Sequence, residues 1–468
     1  MSRVRVKWQK NEFVLQTDLN SPVFSLKEQL RSHTGVLPEK QKLLLKGKVL
    51  KNEMSLAEAG VADNTLLMMM GTPTELVEPE AQIKFKEDLT HQELAALYKE
   101  KEGIPLPAGL VNLGNTCYMN STIQVMRRVH EYSDALKEYP LQNPNDREEK
   151  FTHELGNLFK GLETSGTSLT PFVFVNMLRE IFPMFNETDE RGIYKQQDAE
   201  ECWGVIMENV KHRLFSQQGE SLVENLFNIE LRNTMECQEA QEPLDMSLES
   251  AIKLYCIIDN QGNPVNHLME GIKAGLEGNI EKHSESLGRN AIYKKTQQIS
   301  KLPGYLCIQM VRFIWKQASS AAGTKAVKAK ILRSVTFPKI LDVYELCTPE
   351  LQRELDVGRD MEKQIREREL EESKEKPKDY RRLDAEFGTG LETGAYQLVG
   401  VVTHKGRTGD SGHYLGWTHV RDDDWVKYDD DVVSQVSTDE ILNLKGGGDW
   451  HMAFILVYRK LQIVPEES

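Results

Sequence analysis

Apolar and polar residues alternate along residues 1–71 in a pattern that predicts a small domain of mixed α and β structure. Residues 4–8 and 12–15 form two such runs around a short turn, which is typical of a β-hairpin. A helix is predicted next, with Ser25 as its N-cap residue, because two leucines recur four residues apart behind it. Residues 41–48 and 66–70 predict further strands. We therefore expect a hairpin, a helix and then more strands.

The pattern changes along the rest of the chain. Helical spacing dominates from Cys117 to about Phe215. After residue 225 most apolar residues fall into short runs, many of which alternate, as in antiparallel strands with one solvated face. These predicted strands cover residues 227–236, 254–259, 305–313, 335–341, 396–404, 413–420, 424–428 and 451–458. The larger part of the chain is therefore predicted to combine a helical half with a β-rich half.

Two stretches differ from this pattern. Residues 72–107 contain four prolines and many charges, so we expect a linker, in which residues 88–99 are a candidate amphipathic helix. Residues 350–390 are densely charged, with Glu and Arg at helical spacing, so we expect an exposed helix in a solvated insertion. The predicted domains are then residues 1–71 and residues 108–462.

One cysteine stands out for its position. Cys117 follows a glycine turn and two residues of the N-cap type, Asn115 and Thr116, and an apolar helical stripe starts at Met119. A thiol at a helix N-terminus faces unpaired N–H groups and the positive end of the helix dipole, and both favour the nucleophilic thiolate. The alternative is a small cysteine packed in a core, which is the commoner place for a free thiol.

Composition excludes several classes of protein. The chain has 468 residues, a net charge of −14 and 39% hydrophobic residues, which is an ordinary globular composition. Its six cysteines lie far apart without a C-x-x-C pair, so we expect a reducing compartment, no disulfide framework and no closed zinc site. No run approaches the roughly 18 apolar residues of a membrane span.

Charge is unevenly distributed. Residues 1–71 carry eleven Lys and Arg against seven Asp and Glu, a balance of +4, so the remainder carries −18. A basic N-terminal segment followed by an acidic remainder argues against an enzyme that acts on nucleic acids. It permits a basic module that docks on an acidic partner, although an ordinary solvated surface explains the same charges.

A histidine and a run of aspartates are the candidate partners of the thiol. His413 follows the glycine of Asp410-Ser411-Gly412 and begins a predicted strand, and the next predicted strand ends at Asp429, Asp430 and Asp431. Adjacent antiparallel strands would bring His413 beside an aspartate. Neighbouring strand residues point to opposite faces, so Asp429 and Asp430 cannot do the same work. Read alone, the three aspartates are more often a turn.

Four motifs together resemble those of a known family. Residues 114–120, 194–201, 411–414 and 425–430 are similar, in this order, to the motifs of the ubiquitin-specific proteases, which are deubiquitinases. Residues 1–71 resemble ubiquitin-like domains with a β-grasp fold, without the Gly-Gly tail needed for conjugation. This combination is similar to the proteasome-associated member of that family.

The resemblance implies an α+β, papain-like fold with a helical thumb, a β-rich palm and β-stranded fingers. Cys117 would be the nucleophile, His413 its general base and Asp429 the residue that orients His413. Asn112 would donate to the oxyanion, together with the backbone N–H of Cys117. Two alternatives stay open, that Asn112 only shapes the turn and that Asp430 orients His413.

The resemblance also implies a substrate site. Gln196, Gln197 and Asp198 match the family motif that meets the ubiquitin tail, whose arginines suit a carboxylate. Tyr414 is assigned to the same group. The alternative for Asp198 is an N-cap of the helix that follows it. Many relatives have two C-x-x-C pairs in the fingers, but this chain has two single cysteines there, so we expect no zinc and fingers held by packing.

The expected function is therefore removal of ubiquitin from substrates bound to the proteasome. The ubiquitin-like domain would dock on the regulatory particle of the 26S proteasome, and loops at residues 405–411 and 317–330 would cover the cleft until docking. We expect no cofactor, nucleic acid or membrane span, and a free monomer in the cytoplasm, with the nucleus as an alternative. Two other functions stay open: a non-catalytic scaffold for ubiquitin and the proteasome, and a protease for another ubiquitin-like modifier.

Overall fold

A computed structural model divides the chain into two compact units, Met1–Leu89 and Thr90–Ser468. The structure describes residues 2–8, 11–34, 36, 38–71, 105–216, 219–260, 263–316, 327–372, 381–382, 387, 390–406, 411–448 and 450–463. Most of the predicted linker and parts of both predicted cleft loops lie outside the described residues. No helix in the described part of the chain is long and apolar enough to cross a membrane.

The first unit is a five-stranded sheet with one helix packed on it. Its elements are β1 (Ser2–Trp8), β2 (Asn11–Thr17), α1 (Val23–Thr34), β3 (Lys42–Leu45), β4 (Lys48–Val49) and β5 (Thr65–Met70). The strand order is β2-β1-β5-β3-β4, and the central pair β1 and β5 is parallel. This is the predicted β-grasp arrangement. Buried residues of the sheet, among them Val4, Val6 and Leu67, pack against Leu26 and Leu30 of the helix.

The predicted start of this helix is wrong by three residues. The helix begins at Val23, and Ser25 lies in its first turn rather than at its N-cap. Pro22 precedes the helix, and its carbonyl accepts a hydrogen bond from the Ser25 N–H. Proline has a fixed φ near the helical value, so a helix readily starts beside it.

The second unit begins with six helices around an apolar core. They are α2 (Cys117–Met126), α3 (His130–Lys137), α4 (Arg147–Thr164), α5 (Phe172–Ile181), α6 (Ala199–Lys211) and α7 (Leu222–Phe227). Asp146 caps α4, and Asp198 caps α6 through the N–H of Glu200. All ten residues of α2 are buried, so this helix lies in the middle of the core.

A nine-stranded sheet packs against α2 and forms the predicted palm. Its strands are β8 (Leu254–Ile257), β13 (Tyr305–Val311), β16 (Ile340–Asp342), β17 (Arg381–Arg382), β18 (Leu391–Lys405), β19 (His413–Arg421), β20 (Asp424–Asp429), β21 (Val432–Ser437) and β22 (Met452–Ile463). Its main path runs β21-β20-β19-β18-β22-β13-β8. The strand predicted over 335–341 is shorter, because Pro338 cannot donate within a ladder.

A second, four-stranded sheet forms the predicted fingers. Its strands are β6 (Ile229–Cys237), β7 (Asp245–Ala251), β11 (Glu277–Ser284) and β12 (Arg289–Lys301), in the order β11-β12-β6-β7. Three of them, β7, β11 and β12, are missing from the prediction. Most residues of β7 and β11 are exposed, so these strands have no buried face that would impose an alternating pattern.

The remaining elements connect these layers. They are the hairpins β9 (Asp259–Asn260) with β10 (Asn263–Pro264) and β14 (Phe313–Lys316) with β15 (Val327–Lys330), and the helices α8 (Leu268–Leu276), α9 (Pro349–Glu372) and α10 (Thr438–Leu442). The predicted charged helix is α9, but it is not wholly solvated. Leu351 and Leu355 are buried in the core that includes β18.

Two helical glycines provide a test of the packing. A Cβ at Gly156 of α4 would lie 2.1 Å from the carbonyl oxygen of Leu136, whereas a Cβ at Gly204 of α6 would meet no atom within 4 Å. We expect Gly156→Ala to destabilise the second unit by about 1–3 kcal/mol, because the backbone must move. Gly204→Ala should stabilise it by up to about 1 kcal/mol. Urea denaturation measures both, and equal midpoints would contradict the packing of α3 on α4.

Candidate active site

The turn before α2 is held by one side chain. The Asn112 Oδ1 accepts hydrogen bonds from the N–H groups of Gly114 at 3.0 Å and Thr116 at 3.2 Å. Asn115 has a φ of +54°, which asparagine tolerates. Thr116 occupies the N-cap position as predicted, but its hydroxyl accepts from Leu113 N–H instead of capping the helix. The first turn of α2 therefore has no side-chain cap at Cys117.

His413 reaches this thiol from the palm sheet. It is the first residue of β19, and its imidazole lies close enough to Cys117 for the two side chains to interact. Gly412 before it has a φ of +146°, and a Cβ there would lie 2.1 Å from the Lys405 carbonyl oxygen, so the approach requires glycine. The predicted adjacency of two strands is present, because β19 pairs with β20.

Asp429 is the carboxylate that contacts His413. Its Oδ1 lies 2.7 Å from the His413 Nε2. The hydrogen bond to Asp429 and then the hydrogen bond to Cys117 raise the pKa of His413 to about 10, against the effect of burial. Burial opposes ionisation of Asp429, but the hydrogen bond from His413 and the charges of His413 and Lys427 together outweigh it and lower the pKa of Asp429. A protonated imidazole beside the sulfur stabilises the thiolate.

Asp430 has a different partner. Its two carboxylate oxygens accept hydrogen bonds from the side-chain amides of Asn112 and Asn120, each at 2.8 Å. Burial raises the pKa of Asp430 despite these bonds. Of the two aspartates, only Asp429 thus hydrogen-bonds to His413, while Asp430 fixes the amide of Asn112. Sequence reasoning gave Asn120 no role, although it lies in the cysteine motif one helical turn after Thr116.

Two of the predicted substrate residues, Gln196 and Tyr414, contact the same buried histidine, His404, next to this site. The amide of Gln196 lies 3.3 Å from the Nε2 of His404, and the rings of His404 and Tyr414 are 4.5 Å apart. Tyr414 is only 1% exposed, so it lies beneath this region. Burial, and then the charge of Asp198, raise the pKa of Tyr414 well above its usual value.

Asp198 and Gln197 lie at the start of α6. The Asp198 Oδ1 accepts a hydrogen bond from the Glu200 N–H at 2.9 Å. Asp198 is therefore the N-cap residue of α6, and this role is compatible with a second role in binding. Gln197 is half-buried beside it. Sequence reasoning also missed His404, whose only signal was its place opposite Tyr414 in two adjacent predicted strands.

One cluster in the described part of the chain has the composition of a metal site. Possible ligand atoms of His413, Asp429 and Asp430 lie within 4.8 Å of one another. These groups already engage one another or the two asparagine amides through hydrogen bonds. The cluster therefore functions as a hydrogen-bond network without needing an ion.

A carboxylate joins parts of the fingers in addition to the packing that was expected to hold them. Glu242 accepts hydrogen bonds from the hydroxyls of Ser284 and Tyr293, each at 2.5 Å, and also from Ser286. These bonds lower the pKa of Glu242 to about 2. The two cysteines of the region lie on different sheets, Cys237 on β6 and Cys256 on β8.

Two family models match the chain. The model described as "Ubiquitin carboxyl-terminal hydrolase" matches residues 108–458, and the model of the ubiquitin family matches residues 3–74. The chain belongs to the ubiquitin carboxyl-terminal hydrolase family. It is a cysteine-type deubiquitinating enzyme with an N-terminal ubiquitin-like domain, as the resemblance implied.

Full-length relatives share this domain organisation. The hydrolase is 40% identical to ubiquitin carboxyl-terminal hydrolase 6 of Arabidopsis thaliana, over 98% of this chain and 99% of the relative. It is 35% identical to ubiquitin carboxyl-terminal hydrolase 14 of Caenorhabditis elegans, over 100% of this chain and 95% of the relative. It is also 35% identical to ubiquitin carboxyl-terminal hydrolase 6 of Schizosaccharomyces pombe, over 99% of this chain and 100% of the relative.

The raised pKa of His413 is testable by NMR. Isotope-labelled imidazole should titrate near pH 10 in the hydrolase, and Asp429→Asn should lower that value because the strongest hydrogen bond loses its charge. Since the folded pKa exceeds 6.5, the stabilisation from protonated His413 is complete below pH 6.5 and is lost as pH rises through about 10.

The control for this titration is Asp424→Asn, at the other end of β20. This change should leave the His413 titration where it is. A wild-type His413 that titrates near pH 6.5, or an unchanged pKa in Asp429→Asn, would contradict the assigned network.

Proposed function

We propose that the hydrolase cleaves the isopeptide bond at the C-terminus of ubiquitin, with Cys117 as nucleophile and His413 as acid and base. The observation that carries this proposal is the series from Cys117 through His413 to Asp429, in which His413 interacts with Cys117 and hydrogen-bonds to Asp429. A nucleophile, a base within hydrogen-bond reach and a third group that orients the base are the three parts of such a site.

Each proton has a source and a destination in this arrangement. The Cys117 thiolate attacks the carbonyl carbon, and the imidazolium of His413 gives its proton to the lysine amine, which leaves as the C–N bond breaks. A water molecule then loses a proton to His413 and attacks the thioester, and the thiolate departs with the acyl bond broken. Asp429 holds the imidazole in one orientation and stabilises its charged form.

The oxyanion has two donors in this proposal. The backbone N–H of Cys117 belongs to the first turn of α2, where no side-chain cap competes for it. Asn112 has two amide hydrogens, and its bond to Asp430 uses one of them. Because Asp430 and the turn fix both ends of the Asn112 amide, the second hydrogen is preorganised as a donor.

The ubiquitin tail would lie along residues 196–198. Asp198 begins α6 close to Tyr414, and its carboxylate suits an arginine of the tail. Gln196 and Gln197 would position the tail backbone, and Tyr414 would support them from beneath. The tail would then enter the site with its carbonyl carbon beside Cys117.

We also propose that the ubiquitin-like domain docks on the regulatory particle of the 26S proteasome and that the substrates are ubiquitin chains on proteins bound there. Exposed apolar side chains on the sheet face opposite the helix support a docking role. They include Leu66, Met68 and Met70 of β5 and Val49 of β4. The positive balance of residues 1–71 suits an acidic partner. The free hydrolase would be a cytoplasmic monomer, with the nucleus as a second location.

Covalent labelling tests the nucleophile. A ubiquitin with a C-terminal electrophile should label the hydrolase once, and Cys117→Ala should abolish labelling because no other thiol has this environment. His413→Ala should slow it at least about 100-fold. Cys237→Ala, which removes a half-buried thiol in the fingers, is the matched control and should label at the wild-type rate. Labelling that persists in Cys117→Ala, or is lost only in Cys237→Ala, would sink the proposal.

Turnover with and without proteasome tests docking and the cleft loops. If loops cover the cleft until docking, proteasome should raise the rate on a ubiquitin substrate, and Met68→Glu should prevent this without changing the basal rate. Phe24→Glu places the same charge at an exposed apolar side chain of the helix α1, on the other face of the sheet, and should retain the stimulation. Equal rates with and without proteasome would contradict the proposal that loops cover the cleft until docking.

A further inference from the structure

A buried lysine lies outside the groups that the proposed mechanism uses. Lys330, the last residue of β15, is 8% exposed. Its Nζ lies 2.8 Å from the Nδ1 of His404 and 2.7 Å from the carbonyl oxygen of the same residue. Lysine is rarely buried without such partners, because its desolvation is costly. The ammonium of Lys330 is therefore held against the ring and the carbonyl group of His404.

His404 is the point where three segments of the site meet. It is fully buried, and its Nε2 faces the amide of Gln196 at 3.3 Å. Its ring lies against Tyr414, the residue after His413. A Cβ at Gly412 would lie 2.5 Å from the His404 Nε2, so the loop that leads to His413 also rests on this ring. The His404 ring thus contacts the segment from Gln196 to Asp198 directly and lies against the loop before His413.

The lysine decides where the proton of His404 resides. An ammonium can only donate, so the Nδ1 that it contacts must be the acceptor. A neutral imidazole then carries its proton on Nε2, which donates toward Gln196. A half-turn of the Gln196 amide exchanges its oxygen and nitrogen and presents the acceptor that this N–H requires. Lys330 therefore sets the direction of two hydrogen bonds in series.

We infer that Lys330 is a positioning residue for the ubiquitin tail, which acts through His404 on the segment from Gln196 to Asp198. This inference rests on the proposed role of that segment in binding the tail. Lys330 holds the imidazole in the tautomer that can bind Gln196, and Gln196 leads directly into the N-cap of α6. Without the lysine, the His404 ring can adopt either tautomer or rotate, and residues 196–198 are then no longer held in one position.

The wild-type hydrolase gives the first test without any substitution. Nitrogen chemical shifts of isotope-labelled imidazole distinguish the two neutral tautomers. His404 should be wholly in the Nε2–H form at pH 7 and should remain so with ubiquitin bound. A wild-type His404 that is protonated on Nδ1, or a mixture of tautomers, would overturn the inference.

Lys330→Met gives the second test. The KM for a fluorogenic ubiquitin substrate should rise about tenfold, which corresponds to about 1.4 kcal/mol of binding, while kcat changes less than twofold. The NMR spectrum of this variant should show a mixture of His404 tautomers. Lys330→Arg, which retains a charged donor, should restore the Nε2–H tautomer and most of the affinity. An unchanged KM in Lys330→Met would overturn the inference.

A second buried lysine is the matched control. Lys460 donates to the Leu302 carbonyl oxygen and to Glu392, in another part of the same unit. Lys460→Met removes a comparably buried charge and should lower thermal stability without raising KM. If it raises KM as much as Lys330→Met does, loss of stability explains both and the inference is overturned.

The failure of this inference is distinguishable from failure of the proposed function. If Asp198→Asn raises KM and Lys330→Met does not, residues 196–198 bind the tail but Lys330 does not position them, so only the inference fails. If neither variant raises KM while Cys117→Ala still abolishes labelling, the tail-binding role itself fails and the inference falls with it.

Discussion

The close approach of α2 to the palm sheet is the constraint on which the site depends. Cys117 and His413 belong to different layers, so their separation is set by how closely helix and sheet pack. A Cβ at Gly416 of β19 would lie 3.0 Å from the Ser121 carbonyl oxygen, and one at Gly400 of β18 would lie 2.7 Å from a methyl group of Val125. Larger residues at these two positions would push α2 away. The distance needed for chemistry is thus fixed by residues that take no part in it.

Two adjacent carboxylates illustrate how local geometry separates roles. Asp429 is the last residue of β20 and faces His413, whereas Asp430 has a φ of +54° and turns toward Asn112 and Asn120. Strand alternation alone predicts opposite faces, but the left-handed conformation lets Asp430 reach back to the turn before α2. The turn at the end of β20 therefore carries both Asp429, which orients His413, and Asp430, which fixes the candidate oxyanion donor Asn112.

The sequence predicted the parts of this site that local pattern determines. Cys117 at a helix start and His413 at a strand start each follow from periodicity and turn residues. Asp429 was assigned through the resemblance that the four ordered motifs carry. Patterns also predicted the β-grasp order of residues 1–71. The prediction failed where no periodic burial exists, as in the exposed finger strands β7 and β11. Thr116 has the predicted N-cap position, but its hydroxyl accepts from the Leu113 N–H instead of capping the helix.

Contacts between distant segments were beyond the reach of these patterns, and buried cations make several of them. Arg312 donates to the carbonyl oxygens of Ala453, Ile331, Arg333 and Lys445, which belong to three separate stretches of chain. Burial lowers the pKa of Arg312 to about 10, so it stays charged at neutral pH. Buried carbonyls outside regular ladders need donors, and a guanidinium supplies five.

Lys330, at the end of β15, also joins distant segments, because its Nζ contacts the carbonyl oxygen and the Nδ1 of His404. The hairpin β14–β15 therefore has a buried cation on each side of its base, one facing the palm and one facing the tail segment. Because each cation binds fixed oxygens, a shift of the hairpin base would break bonds at both sites together. The base of this hairpin is thus held at two points of the catalytic unit.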